Sequence, residues 1–509
     1  VTFVDYEVAA GAGLDYGSFG GRAQFGLGRG ALLVQFHQRS FDDYRSPRET
    51  VDNSSSRDSG GLVRGVVPIG AGRIDLGLQI NRARDLSRPT EEPDVSRTVY
   101  PLEDSDRLTL AYDLPGRGGF SRFELRAFAG RYRLITERVT VDTCTSTTCV
   151  STCTSTTCVS RSDVRANDAS LKLIAVRPGR RGLLRLGIDL VSRFGLQAED
   201  RVEDHPSGGP PVVISDMKTI RDARRFDSAL FVEGEHSPGS RAFSLSAGIR
   251  GDAVSTRNSG GSLGDRDTNQ SAISGYAGMT WRAGAGIETT IQVSRGFRDP
   301  SLSDRYFQGT TGRGTIIGNP DLEPETTRQF DLAFRVQREQ ARFAAYGYLY
   351  RIHDLVERYE SAPDMFAFRN RGEEEIFGLE VEWNVEIRPR LSARFTATYA
   401  RGEILDDGSN PDDIPGDSLA ISLLHRPGDR WWWQGRVRGV RSDNRPGPTE
   451  RATPGYAVLD ASVGFNLSEA FRIRLNLNNL TDKEYPSSPD SRSPLALGRS
   501  AALTLAGRF

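Results

Sequence analysis

The feature that most constrains this chain is a two-residue alternation of apolar and polar side chains that recurs along its whole length. Ile74, Leu76, Leu78 and Ile80 alternate with Asp75, Gly77, Gln79 and Asn81. Phe377, Leu379, Val381, Trp383 and Val385 alternate with Gly378, Glu380, Glu382, Asn384 and Glu386, and residues 243–250 and 471–478 repeat the pattern. Successive side chains of a strand point to opposite faces, so each segment carries one apolar and one polar face. No run shows convincing helical spacing, and the chain reads as all-β.

The connections between these segments come in two lengths that take turns. Residues 28–30, 70–72, 115–119, 178–182, 237–240, 283–286, 337–340, 388–390, 427–429 and 468–470 are short, and most bear Gly or Pro, as tight hairpins require. Between them lie long polar stretches such as 42–60, 83–105, 199–222, 252–268 and 299–326. Ten short turns join twenty strands, and a first strand near 1–10 and a last at 499–509 raise the expected count to twenty-two. Twenty-two strands of about 11 residues and their turns leave roughly 20 residues for each long connection. The expected fold is a 22-stranded antiparallel transmembrane β-barrel, one domain over residues 1–509, with short periplasmic turns and long extracellular loops.

Composition agrees once the barrel is considered. Only 37% of residues are hydrophobic and mean hydropathy is −0.46, which a wet lumen explains because it dilutes the apolar outer face. No stretch approaches the roughly 18 apolar residues of a membrane helix. A net charge of −1 offers no basic excess for a nucleic-acid partner. Basic charge is almost all arginine, with Lys172, Lys218 and Lys483 the only lysines.

Two sets of motifs carry a family resemblance. SRGFRDPSLSDRYF (294–307), followed by GNPDLEPE (318–325), resembles the signature of TonB-dependent outer-membrane receptors, and so does LNNLTDKEY (477–485) before Gly498 and Arg499. The terminal Phe509, sharing a face with Gly507, Leu505, Leu503 and Ala501, looks like the signal read by the barrel-assembly machinery. The resemblance implies a receptor, set in outer-membrane lipid and lipopolysaccharide, that imports a scarce nutrient with energy relayed by the TonB complex; the residues themselves show no catalytic constellation, and no cofactor is expected. A ferric siderophore or similar metal chelate is the leading cargo class. An ungated porin-like channel is the alternative, followed by an outer-membrane adhesin or enzyme.

Within the motif, Pro320 and Pro324 fix φ and remove two backbone donors, holding an extended segment before the next strand. Asn319, Asp321, Leu322, Glu323 and Glu325 complete it, with Glu325 placed to anchor the turn, and the whole reads as architectural. Asn478, Asn479 and Asp482 are expected to turn the chain at a strand end. Trp431–Trp433 suits an interfacial aromatic girdle.

Family members carry a plug domain and a TonB-contacting box ahead of the barrel. Val1 already reads as the first strand, so this chain is expected to be the barrel portion of a longer receptor, with the plug upstream.

TCTSTTCVS (143–151) is repeated at 152–160, which puts Cys144, Cys149, Cys153 and Cys158 in one extracellular loop. An oxidising compartment favours disulfides there, in any of three pairings, over a metal site lacking His partners. His37, His205, His236, His353 and His425 are scattered, with no metal-ligand spacing. Glu380, Glu382 and Glu386 should face the lumen, as should Arg436, Arg438, Arg472 and Arg474.

Overall fold

Lipid offers backbone amides no hydrogen-bond partner, so a membrane sheet has to close on itself. In the computed structural model, which describes residues 3–141, 157–239, 242–362 and 364–509, it does. Among these residues 24 strands form one sheet, and the wall is a closed 22-stranded antiparallel barrel. Each wall strand pairs with its sequence neighbours. The ring closes where Phe3–Ala12 runs antiparallel to Ser500–Arg508, with Asp5 opposite Arg508 and Ala12 opposite Ala501.

Alternation sorts the two faces. On strand Met365–Arg388, Phe377, Leu379, Trp383 and Ile387 point outward and are exposed, while Glu380, Glu382 and Glu386 take the inward parity. Eleven tilted residues rise about 25 Å, the height of an outer-membrane apolar band. Aromatic pairs ring the short-turn end. Trp431 lies 4.3 Å from Phe465, Trp383 stacks on Phe395 at 5.2 Å, and Phe471 meets Phe509 edge-on at 5.4 Å. Trp431 and Trp433 face outward, whereas the intervening Trp432 points in, over Gly464.

The lumen wall is a lattice of ion pairs. Arg64 meets Asp75 at 2.5 Å, Arg126 lies between Asp113 (2.6 Å) and Glu124 (3.2 Å), and Arg250 lies between Asp189 (3.1 Å) and Asp252 (2.8 Å). Hydrated pairs of this kind contribute at most about 1 kcal/mol each. Their effect is to keep a densely charged interior close to neutral. Arg472 and Arg474 line a lumen recess with Asp5, Glu7, Arg22 and Arg508.

Above the apolar band the expected loops are largely strand. Stretch 83–105 continues strands Gly72–Arg88 and Ser96–Pro115, stretch 199–222 continues Gly182–Asp204 and Val212–His236, and stretch 252–268 continues Phe243–Asn258 and Arg266–Gly284. Neither face is in lipid there, so the apolar code lapses while the ladder persists. Two outer connections are short, at 13–15 and between strands Ala341–Ala362 and Met365–Arg388. The longest, 299–324, holds the five-residue helix Leu302–Tyr306, too short to show helical spacing in the sequence, and the hairpin Gln308–Thr311/Gly314–Ile317. Strand Val212–His236 overtops its neighbour. Pairing with Phe243–Asn258 begins at Ala223, and among the described residues 212–218 has no ladder partner on that edge.

Leu230, 65% exposed on the outer face, tests the assignment of lipid. Leu230→Arg is expected to destabilise the barrel by roughly 2–4 kcal/mol in vesicles, and Gln292→Arg on the lumen face to be near neutral. Urea unfolding in lipid would measure both.

Candidate functional site

The extracellular mouth is crossed by a roof that begins at the motif segment. Arg298 and Glu325 form the last ladder pair below it, and their side chains are also ion-paired. Glu325 accepts a second hydrogen bond from the amide of Val356 at 2.7 Å. Ser301 and Asp304 form a capping box that starts the helix. Asp299 and Arg305, each with a side chain 1% exposed, pair at 3.2 Å, and Arg225 reaches the same carboxylate at 3.0 Å. Arg305 also donates to the carbonyl of Pro320 at 3.0 Å.

Asn319 bonds across to the neighbouring hairpin, donating to the Phe368 carbonyl at 3.0 Å and accepting from the Asp321 amide at 3.0 Å. Asn370 holds both backbone groups of Glu323, and Leu322 is buried. Pro324 leads directly into strand Glu325–Gln337. The motif residues Asn319–Glu325 are thus brought together as a brace against strand Met365–Arg388.

Apolar packing seats the helix inside the mouth. Leu302, Tyr306 and Phe307 bury against Ala166, Leu196, Ala198, Ile220 and Ala223, on the lumen face of three overtopping strands. That face exists because of a register shift between Arg165 and Asn167, where Gly195 adopts φ +60°. The extra residue re-aims Leu196, Ala198 and Asp200 inward.

The hairpin beyond the helix then crosses the mouth. The amide and hydroxyl of Thr310 donate to the buried Asp200 carboxylate at 3.2 and 3.3 Å. On the other side, Gly314–Ile317 pairs in parallel with Met365–Ala367. That edge is free because strand Leu391–Ile404 stops pairing at Glu374. The tip is tightly wedged. A Cβ on Gly312 would lie 2.2 Å from the Tyr100 hydroxyl, and one on Gly314 (φ +135°) would lie 2.4 Å from the Asp364 carbonyl.

Ion pairs join segments that are distant around the ring. Arg138, on the seventh wall strand, reaches Asp364 at 2.9 Å, in the tip between the fifteenth and sixteenth. Arg492, from the last loop, reaches the other oxygen of Asp364 at 2.9 Å and Glu360 at 3.3 Å. Arg313 pairs with Asp490 at 3.1 Å, and Arg451 with Glu91. These residues escaped the sequence reading because their partners are far apart in the chain. The only local signal was the TGRGT turn at 311–315, whose glycines mark a close approach.

Other expected residues lie elsewhere. Cys144, Cys149 and Cys153 fall outside the described residues, and Cys158, at the start of strand Thr157–Gly179, is disulfide-bonded. Phe509 sits at the outward, short-turn end, stacked on Tyr6. Asn479 and Asp482 adopt positive φ and turn the chain, with Asn479 bonding Lys483 and Leu497 and Asp482 accepting from the Arg499 amide. Among the described residues no three His, Cys, Asp or Glu side chains group as metal ligands.

Two outcomes follow for the roof. Tyr306→Ala is expected to cost roughly 3–5 kcal/mol of local packing and to open 299–324 to protease while the wall stays intact. Burial pushes the Asp200 carboxyl up to about 6 from 3.8, against the opposing pull of Thr310. The folded hairpin therefore holds a proton that the unfolded chain has lost. Its contribution is full below pH 3.8 and is lost as pH rises through about 6. Amide exchange at 308–317, corrected for intrinsic rates, should accelerate between pH 4 and 6.5, and Asp200→Asn should flatten that slope.

Comparison with known proteins fits this architecture. A family model described as TonB dependent receptor-like, beta-barrel, matches residues 32–480. The vitamin B12 transporter BtuB of Vibrio vulnificus (strain YJ016) is 23% identical over 235 residues, 43% of this chain and 35% of its own length. Hemoglobin-haptoglobin utilization protein B of Neisseria meningitidis serogroup A / serotype 4A (strain DSM 15465 / Z2491) is 21% identical over 333 residues, 54% of this chain and 40% of its own length. The chain thus spans well under half the length of these relatives. Among solved structures, the copper transporter OprC superposes with a TM-score of 0.83 at 16% identity, covering all of this chain and 80% of that one. The ferric yersiniabactin uptake receptor FyuA from Yersinia pestis gives 0.75 at 14% identity, again over all of this chain and 80% of its own. At such identities the superpositions show the fold alone. BtuB, OprC and FyuA are named as transporters or receptors, not enzymes, and the family model spans nearly the whole barrel: this chain belongs to the TonB-dependent receptor β-barrel family of the bacterial outer membrane.

Proposed function

We propose that this chain forms the wall and outer gate of a receptor that actively takes up a scarce nutrient, with a ferric siderophore or similar metal chelate as the favoured cargo. The observation that carries this reading is the roof. Arg138, Asp364 and Arg492 tie opposite sides of the mouth together over a lumen that 22 strands leave wide. A permanently open channel gains nothing from segments tied across its mouth. A receptor does, because cargo can be held from above and released inward when energy is supplied. In this reading a plug domain fills the lumen from below and relays the pull of the TonB complex. The lattice of lumen carboxylates and arginines supplies polar partners for it. Lipopolysaccharide would surround the outward-facing polar strands above the band, and Phe509 would direct assembly.

The test is uptake by cells carrying the intact gene, with and without a working TonB system, under iron limitation. The expected result is growth on a ferric chelate that needs both the gene and TonB, together with closed behaviour of the purified protein in planar bilayers. Steady large conductance with TonB-independent uptake would assign a porin-like channel instead.

A further inference from the structure

Five arginines from five separate segments converge beneath the roof: Arg88, Arg138, Arg313, Arg358 and Arg492. Three of them have carboxylates. Arg138 and Arg492 share Asp364, Arg492 also holds Glu360, and Arg313 holds Asp490. Arg88 and Arg358 make no side-chain ion pair or hydrogen bond among the described residues.

Their placement is built rather than incidental. Arg88 is opposite Thr98, and Thr98 opposite Arg138, so the three share one face across adjacent strands. Asn53 fixes the backbone there, donating to the carbonyls of Arg88 at 2.7 Å and Thr98 at 2.9 Å. Gly312 lets the hairpin tip come down on the Arg88 side chain. Phe366, itself buried, carries the Arg358 guanidinium 5.5 Å from its centroid and that of Arg492 at 5.3 Å.

The Nε of Arg358 is buried and has no acceptor. Burial first, then repulsion from Arg313, pulls its guanidinium below the usual range; the carboxylates of Asp412 and Asp490 oppose this, and Arg88 adds a smaller repulsion. The Arg138 guanidinium is depressed too, by burial first, and Arg492 and Arg88 add to it. A buried donor without a partner costs free energy that an arriving acceptor returns.

We propose that Arg88 and Arg358 form an oxyanion subsite on the underside of the roof, which takes a carboxylate, catecholate or phosphate group of the cargo. Planar guanidinium forks match such groups in geometry as well as charge. The subsite rests on the receptor reading above and narrows it. It favours anionic chelates over corrinoids, even though a B12 transporter is among the sequence relatives.

The test uses the intact gene product purified from outer membranes, with tripolyphosphate and ferric citrate as oxyanion probes and cyanocobalamin as the corrinoid comparator. Isothermal titration should show both anions binding the native protein. Binding should weaken at least tenfold in the Arg88→Gln/Arg358→Gln double variant and be unchanged in Arg508→Gln, at the far end of the lumen. Arg358→Lys, which keeps charge but loses the fork, should fall between, and heat-modifiable migration on gels reports that each barrel is folded. Equal binding of the anions by native and double-variant protein would overturn the proposal, as would no anion response from the native protein, with or without cobalamin binding. TonB-dependent uptake persisting beside a missing anion response would remove the subsite and leave the receptor reading intact. Loss of TonB dependence beside a normal anion response would do the reverse.

Discussion

The structure depends on one constraint, that no backbone amide or carbonyl be left unpaired in hydrocarbon. A flat sheet fails it at two edges, and a sheet whose first strand meets its last has none. The pairing of Phe3–Ala12 with Ser500–Arg508 is therefore the contact on which all others depend. Once the ring is closed, outward side chains must be apolar across the band and inward ones are free to be charged. Connections at one rim shrink to turns, and the other rim is left to carry specificity.

Magnitudes separate the wall from the roof. Breaking the wall means exposing a strand's whole ladder to lipid, with each unsatisfied group costing several kcal/mol. Opening the roof means parting a few ion pairs, the short ladder of Gly314–Ile317 on Met365–Ala367 and the Thr310–Asp200 bonds, a far shorter seam than a wall strand. Asp364 is half-exposed and serves both Arg138 and Arg492, so the pairs part together rather than one by one. The buried Asp299–Arg305 pair and the Tyr306 cluster hold the base of the same insert far more firmly. The insert thus has an apolar, deeply packed root and a tip held by polar contacts. Both belong to one 26-residue connection, 299–324, whose first half packs apolar side chains and whose second half is held by backbone pairing, hydrogen bonds and ion pairs.

Much of this was legible in the residues, for a physical reason. Where lipid faces the wall, alternation is enforced, so Phe377–Val385 announced both its strand and its orientation. Above the band the enforcement stops. Strand Ser96–Pro115 includes Pro101 and charged residues that read as a loop, yet Pro101 lies at the register shift between Val99 and Leu102, where a missing amide costs no ladder bond. The motif at 319–325 could be recognised as a rigid closure, but not that its partner is Asn370. The roof was least legible. Arg138 and Asp364 are joined by the curvature of the whole ring, and no window of sequence contains both.

The overtopping strand Val212–His236 carries a hazard of another kind. Over 212–218 its outer edge presents a row of open donors and acceptors, with Val212, Val213, Ile214 and Met217 exposed beside them. On a crowded cell surface such an edge is a template on which a neighbouring barrel could add its own strand. Pro210 and Pro211 cut the template short on one side, and Asp216 and Lys218 place opposite charges within it. Register shifts at Val213/Ser215 and Lys218/Ile220 bend the strand out of the flat geometry that such pairing needs. The projection can stand above the membrane without drawing its neighbours into a continuous sheet.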